Sequence, residues 1–144
     1  MFFKQIENYK SKMNSVKGSV VESMYNDNGH ILDDMKGNTD DFRLLCVRIA
    51  KKASMGRVTA ASYAGVVAYF CDKYGISYKT YAGFCLPVDF PRRDKELEDF
   101  NRGKEAGKEH PSMATHIYIV TEDSTYEYYN DRFESEKIDV VEVQ

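Results

Sequence analysis

The sequence predicts an α+β fold, with a central buried helix over residues 59–74 packed on an antiparallel sheet of about four strands and extra helices on its N-terminal side. Two observations carry this. Ala60, Ala61, Ala64, Val66, Val67, Ala68 and Phe70 leave the 59–74 stretch apolar nearly all round, as a helix enclosed by neighbours requires. After Gly75-Ile76 the pattern changes to strands: residues 78–85 are rich in aromatic and β-forming types, and 116–120 alternate. Glu122-Asp123-Ser124 then turns the chain, 125–129 return, and 138–143 close the meander.

Upstream, Phe2, Phe3, Ile6, Tyr9, Met13, Val16 and Val20 recur at near-helical spacing, so residues 1–25 are read as a helix that Gly18 and the serines weaken. Asn26-Asp27-Asn28-Gly29 is a turn cluster, followed by a short polar link to Gly37-Asn38-Thr39. Thr39 or Asp40 then caps a helix whose Phe42, Leu45, Cys46 and Ile49 fall at i, i+3, i+4 and i+7. Lys51 and Lys52 suit its C-terminal end, and Gly56 stops it. Residues 91–109 carry six basic and six acidic side chains around Leu97, Phe100 and Ala106, and read as an exposed helix or a mobile flap between strands. Their place just before His116 also suits contact with a substrate. The whole is read as a single domain over 1–144, a helical part to residue 56 and then the helix-and-sheet core with its charged insert.

At 144 residues the chain is long enough to bury a core unaided by metal or disulfide. A net charge of −3 and a pI near 5.6 argue against a nucleic-acid partner, which calls for a basic face. No apolar stretch approaches a membrane span or the core of a signal peptide, so no membrane partner is expected. Cys46, Cys71 and Cys85 are odd in number, with neither CxxC nor Cys/His metal spacing. They imply no metal or other cofactor and a reducing, cytoplasmic compartment, the composition also suiting a protein that acts inside a host cell. Cys46 and Cys71 sit in apolar helical runs and read as buried thiols.

Four motifs follow one another in a meaningful order. Ala60-Ala61-Ser62-Tyr63-Ala64 opens the central helix, and Gly75-Ile76 ends it fifteen residues after Ala60. Ala82-Gly83-Phe84 lies on the next strand, Thr115-His116-Ile117-Tyr118 opens another, and Tyr126-Glu127-Tyr128-Tyr129-Asn130 completes the set. Together, over residues 56–131, they resemble the transglutaminase-like branch of the papain-type cysteine hydrolases. That family reads roughly Gly-x-Cys-x-x-Tyr-Ala, an apolar helix to Gly-Ile, a strand ending in Gly-aromatic, a His-aromatic strand, and an aromatic-rich strand ending in Asp or Asn. The resemblance implies a papain/transglutaminase-like core, with residue 60 as nucleophile, His116 as base and Asn130 as the group orienting the imidazole. Asp131 takes the last role if the register slips by one. The chemistry accounts for the order: a helix N-terminus and an adjacent imidazolium lower a thiol's pKa, and the helix-start N–H groups stabilise an oxyanion.

The departure is Ala60, whose methyl cannot attack a carbonyl. Three explanations are open: a cysteine deliberately replaced in this form of the chain, a natural loss that keeps the fold for binding, or a nucleophile supplied by Thr59, Ser62 or Cys85. Cys85 with His116 is the second-choice dyad. Taken singly, His116 is an ordinary strand residue, Asn130-Asp131 a plain turn, and His30 and His110 solvent-exposed. The implied function is a cysteine-dependent amide hydrolase or acyl transferase of protease, deamidase or transglutaminase type, acting on a protein substrate and lacking its nucleophile here. The alternative is a non-catalytic binding or inhibitor protein that holds a protein partner.

Overall fold

A computed structural model describes residues 3–105 and 115–143. In chain order the elements are α1 (Phe3–Ser19), a 3-10 turn (Glu22–Met24), α2 (Ile31–Lys36), α3 (Asp40–Ala53), α4 (Ala60–Lys73), β1 (Tyr78–Leu86), α5 (Arg93–Glu105), β2 (Thr115–Thr121), β3 (Thr125–Tyr126) and β4 (Glu136–Val143). The strands form one antiparallel sheet in the order β3-β2-β1-β4. The α+β expectation holds, with five α-helices among the described residues and the apolar helix in the middle. Phe2, Ala106 and His110 lie outside the described residues.

α4 is a helix because its ends are specified and its interior is small. Ser62 N–H donates to Thr59 Oγ1 (3.1 Å) and Thr59 N–H donates to Ser62 Oγ (2.8 Å), a reciprocal capping box. At the other end Gly75 takes a φ of 68°, and Ile76 N–H reaches back to the Cys71 carbonyl (2.8 Å), satisfying a last-turn acceptor. Between them Ala61 to Ala68, Phe70 and Cys71 are all buried. One side of α4 meets α1 so closely that a Cβ on Gly65 would lie 2.6 Å from the Met13 carbonyl oxygen. Other sides pack on Phe42, Cys46 and Ile49 of α3 and on Ala82, Ile117, Ile119 and Tyr126 of the sheet, all in one core. α4 is thus an inner layer between helices and sheet. Its burial, not its propensity, fixes where its N-terminus points.

α3 follows its pattern: Thr39 caps it (Phe42 N–H to Oγ1, 3.2 Å), and Phe42, Cys46, Ile49 and Ala50 are buried. The first helix ends at Ser19, short of the 1–25 expected, and three further details were not predicted. The link after Gly29 contains a real helix, α2, anchored by buried Ile31 and Met35, whose carbonyl accepts from the Tyr126 hydroxyl (2.7 Å). The strand expected over 125–129 pairs only at Thr125–Tyr126 before it leaves the sheet. Finally, β1 and β4 approach so tightly that a Cβ on Gly83, at φ 152°, would overlap the Asp139 carbonyl oxygen, beside a bulge at Phe84/Cys85.

The charged insert contains the helix α5, held on the sheet by a second small core. Phe100 stacks on Phe84 (centroids 4.3 Å, planes 8° apart), with Leu86, Leu97, Phe90 and Ile138 around them. Among the described residues no helix is long and apolar enough to cross a membrane.

Candidate functional site

The start of α4 opens into a cleft of about 480 Å³. The cleft is lined by Tyr9 and Lys12 of α1, by the 57–61 segment with Ala60, and by a wall made of Tyr128, Tyr129 and Asn130. The Tyr63 ring, buried in the first turns of α4, stacks on Tyr128 (5.7 Å, 25°), which fixes that wall against the helix. The Tyr128 hydroxyl donates to Asp131 Oδ1 (2.9 Å), and burial raises its pKa above the ordinary phenol value.

Asn130 and Asp131 are the two central residues of a tight hairpin. Both have positive φ, 45° and 63°, and Tyr129 and Arg132 exchange backbone hydrogen bonds of 2.9 Å across them. This is the geometry two-residue β-hairpins favour, and asparagine and aspartate tolerate it. The plain-turn reading therefore describes their backbone. Asn130 is exposed and lines the cleft that holds Ala60, while Asp131 is engaged by Tyr128.

His116 is only 1% exposed and does not line the cleft. It sits opposite Gly83 on β1, and its ring stacks on that of Tyr129 (4.8 Å, 19°). The structure thus brings Ala60 and Asn130 into one cleft and sets His116 one ring behind its wall. Tyr129 is the shared element, and sequence reasoning missed its part. The aromatic run at 126–129 was visible, but which ring would meet the imidazole depends on where the strand leaves the sheet. Lys12 and Arg57, the cations that line the cleft among the described residues, carried no sequence signal at all.

Electrostatics follow burial. The Tyr129 phenol is pushed above its usual pKa, first by burial and then by the negative charge of Glu96, with Arg132 acting the other way. The alternative nucleophiles are otherwise engaged. The Thr59 and Ser62 hydroxyls cap α4, and Ser62 is wholly buried. Cys85 is fully buried, its thiol pushed up to about 12 chiefly by desolvation, and its near neighbours are Lys137, Glu127 and Ser135. A thiol held protonated in this way is a poor nucleophile. Cys46 and Cys71 are likewise buried and raised, Cys71 to about 12.

α5 does not line the cleft. It reaches the wall indirectly, through Phe90, packed edge-on against Tyr129 (5.8 Å). A larger groove of about 570 Å³ lies between residues 23–34 and α3, but its lining contains neither cysteine nor histidine. Compared with protein-family models, with curated proteins and with solved structures, the chain matches none.

Proposed function

We propose that this chain is a transglutaminase-like, papain-type scaffold whose cleft binds a segment of a protein partner. In this reading residue 60 is the nucleophile position of an amide hydrolase or acyl transferase. With alanine there, the chain binds and does not cleave. The observation that carries the reading is the cleft itself: the methyl of Ala60 at the capped start of a buried helix, Asn130 on its wall, and the His116 ring stacked on that wall's Tyr129. A thiol at that methyl would lie at the positive end of α4, which favours thiolate. The expected partner is protein, met in the cytoplasm.

The test is Ala60→Cys. The introduced thiol is expected to react with iodoacetamide near neutral pH at least tenfold faster than a free cysteine, an acceleration that His116→Ala removes. The background is favourable, because Cys46, Cys71 and Cys85 are buried and resist ionisation. Protein partners would then be followed by mass for loss of an amide nitrogen or cleavage. An introduced thiol no faster than a free cysteine, and indifferent to His116, would defeat the reading.

A further inference from the structure

The groove of about 570 Å³ between residues 23–34 and α3 shares no lining residue with the Ala60 cleft among the described residues. One stripe of α3 borders it. Asp41, Leu45, Arg48 and Lys52 stand at i, i+4, i+7 and i+11 and all line the groove. On a helix turning about 100° per residue they fall within an arc of about 60°. Asp41, Arg48 and Lys52 are exposed. Leu44 flanks the stripe and is 55% exposed, although it is a large apolar side chain.

The groove is polarised along its length. The Asp34 carbonyl accepts from Thr39 N–H (3.1 Å), which sets Asp34 beside the capped start of α3, where Asp41 also lies. At the other end the Lys52 ammonium donates to the Met24 carbonyl (3.0 Å), which seats the 3-10 turn by the last turn of α3. Carboxylates thus gather at one end, and Arg48 and Lys52 lie towards the other. A two-fold rotation inverts that order. Laid antiparallel on itself about a point between Cys46 and Val47, α3 sets Asp41 opposite Lys52 of the second copy and Leu45 opposite its Arg48. Each contact then occurs twice. Asp41 and Lys52 are eleven residues apart, about 16 Å along a helix, so the two ion pairs stand at the ends of the contact and the leucines between them.

We propose that this groove is the contact between two copies of the chain, packed antiparallel through α3 with Asp41 of each paired to Lys52 of the other. Any other occupant must match the same acid-to-base order, whereas a second copy supplies it by symmetry. Lys52 has three N–H groups and gives one to Met24, so its charge can serve both. Leu44 and Leu45, with the aliphatic stem of Arg48, supply an apolar centre inside the charged ends, as a stable contact requires. The contact uses no described residue of the Ala60 cleft and does not depend on any chemistry there.

Sedimentation equilibrium of the whole chain over a concentration series is the test. The mass is expected to rise from 16.6 kDa to twice that value and stop, because a two-fold contact closes on itself. Asp41→Lys sets lysine against lysine at both ends, and Lys52→Glu sets carboxylate against carboxylate. Each should weaken dimerisation about tenfold or more. An equimolar mixture of the two variants restores both ion pairs and should form a heterodimer about as tight as the unaltered dimer, which also shows that both variants fold. Leu44→Gln, at an exposed position, should weaken self-association too, and it decides if a charge variant does not fold. A chain that stays at 16.6 kDa throughout, growth beyond two copies, or a dimer that survives both charge reversals overturns the proposal. So does a mixture that stays monomeric although circular dichroism shows each variant folded.

Discussion

At the scale of single residues, two polar groupings in this protein look alike in sequence and differ in consequence. Ser62 and Thr59 spend their hydroxyls on a helix cap. Glu127, Ser135 and Lys137 form a clamp from a carboxylate, a hydroxyl and an ammonium. The Glu127 side chain, 5% exposed, accepts from Ser135 N–H (3.1 Å), from Ser135 Oγ (2.6 Å) and from Lys137 Nζ. Lys137 also donates to the Ser135 carbonyl (2.9 Å) and lies over the Tyr118 ring (4.9 Å). The clamp ties the chain leaving β3 to the start of β4. Removing one partner leaves a buried charge uncompensated, so Lys137→Met should cost about 3 kcal/mol. Glu127→Gln with Lys137→Met, which removes both charges, should recover much of it. Denaturant titration of the three chains checks this. Equal losses for the single and double variants would show that the clamp is not a charge pair.

At the scale of elements, legibility tracks how local the determinants are. α3 and α4 could be read because Thr39, Thr59, Gly75 and the apolar spacing are all close in sequence. α2 could not, since a six-residue helix with only Ile31 and Met35 as anchors has too little pattern, and much of its hold comes from Tyr126, ninety-one residues away. That the start of α4 and the turn after the aromatic run would meet was expected from their order, and the cleft does gather Ala60 and Asn130. The Tyr129–His116 stack and the inward turn of Glu96 were not, because both depend on how α5 and the 127–132 hairpin pack in three dimensions. The β1–β4 pair offers the sharpest test at this scale. Gly83 holds φ 152° against the Asp139 backbone, so Gly83→Ala meets both an unfavourable dihedral and an overlap. A cost of about 3 kcal/mol is expected, with amide exchange accelerated across β4 before the rest of the sheet. Uniform protection across β1 and β4 in that variant would mean the close approach is relaxed in solution.

At the scale of the whole molecule, the inner layer built on α4 governs the response to pH. The core around it encloses ionisable groups that fold in their neutral form: the thiols of Cys46 and Cys71, and the phenol of Tyr63, all with pKa raised by burial. Cys85, beneath Lys137, behaves the same way, at about 12. For each, the folded chain holds a proton that the unfolded chain gives up near its ordinary pKa. Between the two values the unfolded state binds fewer protons, so stability falls as pH rises. The effect is absent below about pH 8 and begins near pH 9, where free thiols ionise. It runs towards pH 12, costing ~1.4 kcal/mol per thiol by pH 10. The folding free energy, measured by denaturant titration at pH 7, 9 and 10, should therefore decline steeply over the last interval. Cys71→Ala and Cys85→Ala are each expected to lower stability at pH 7 through lost packing and to flatten the alkaline slope. A slope unchanged by both substitutions would assign the alkaline loss to Cys46 and the tyrosines. That outcome would also mean the thiols are more open to solvent than their burial implies, and native Cys71 and Cys85 would then compete for iodoacetamide with a thiol introduced at residue 60.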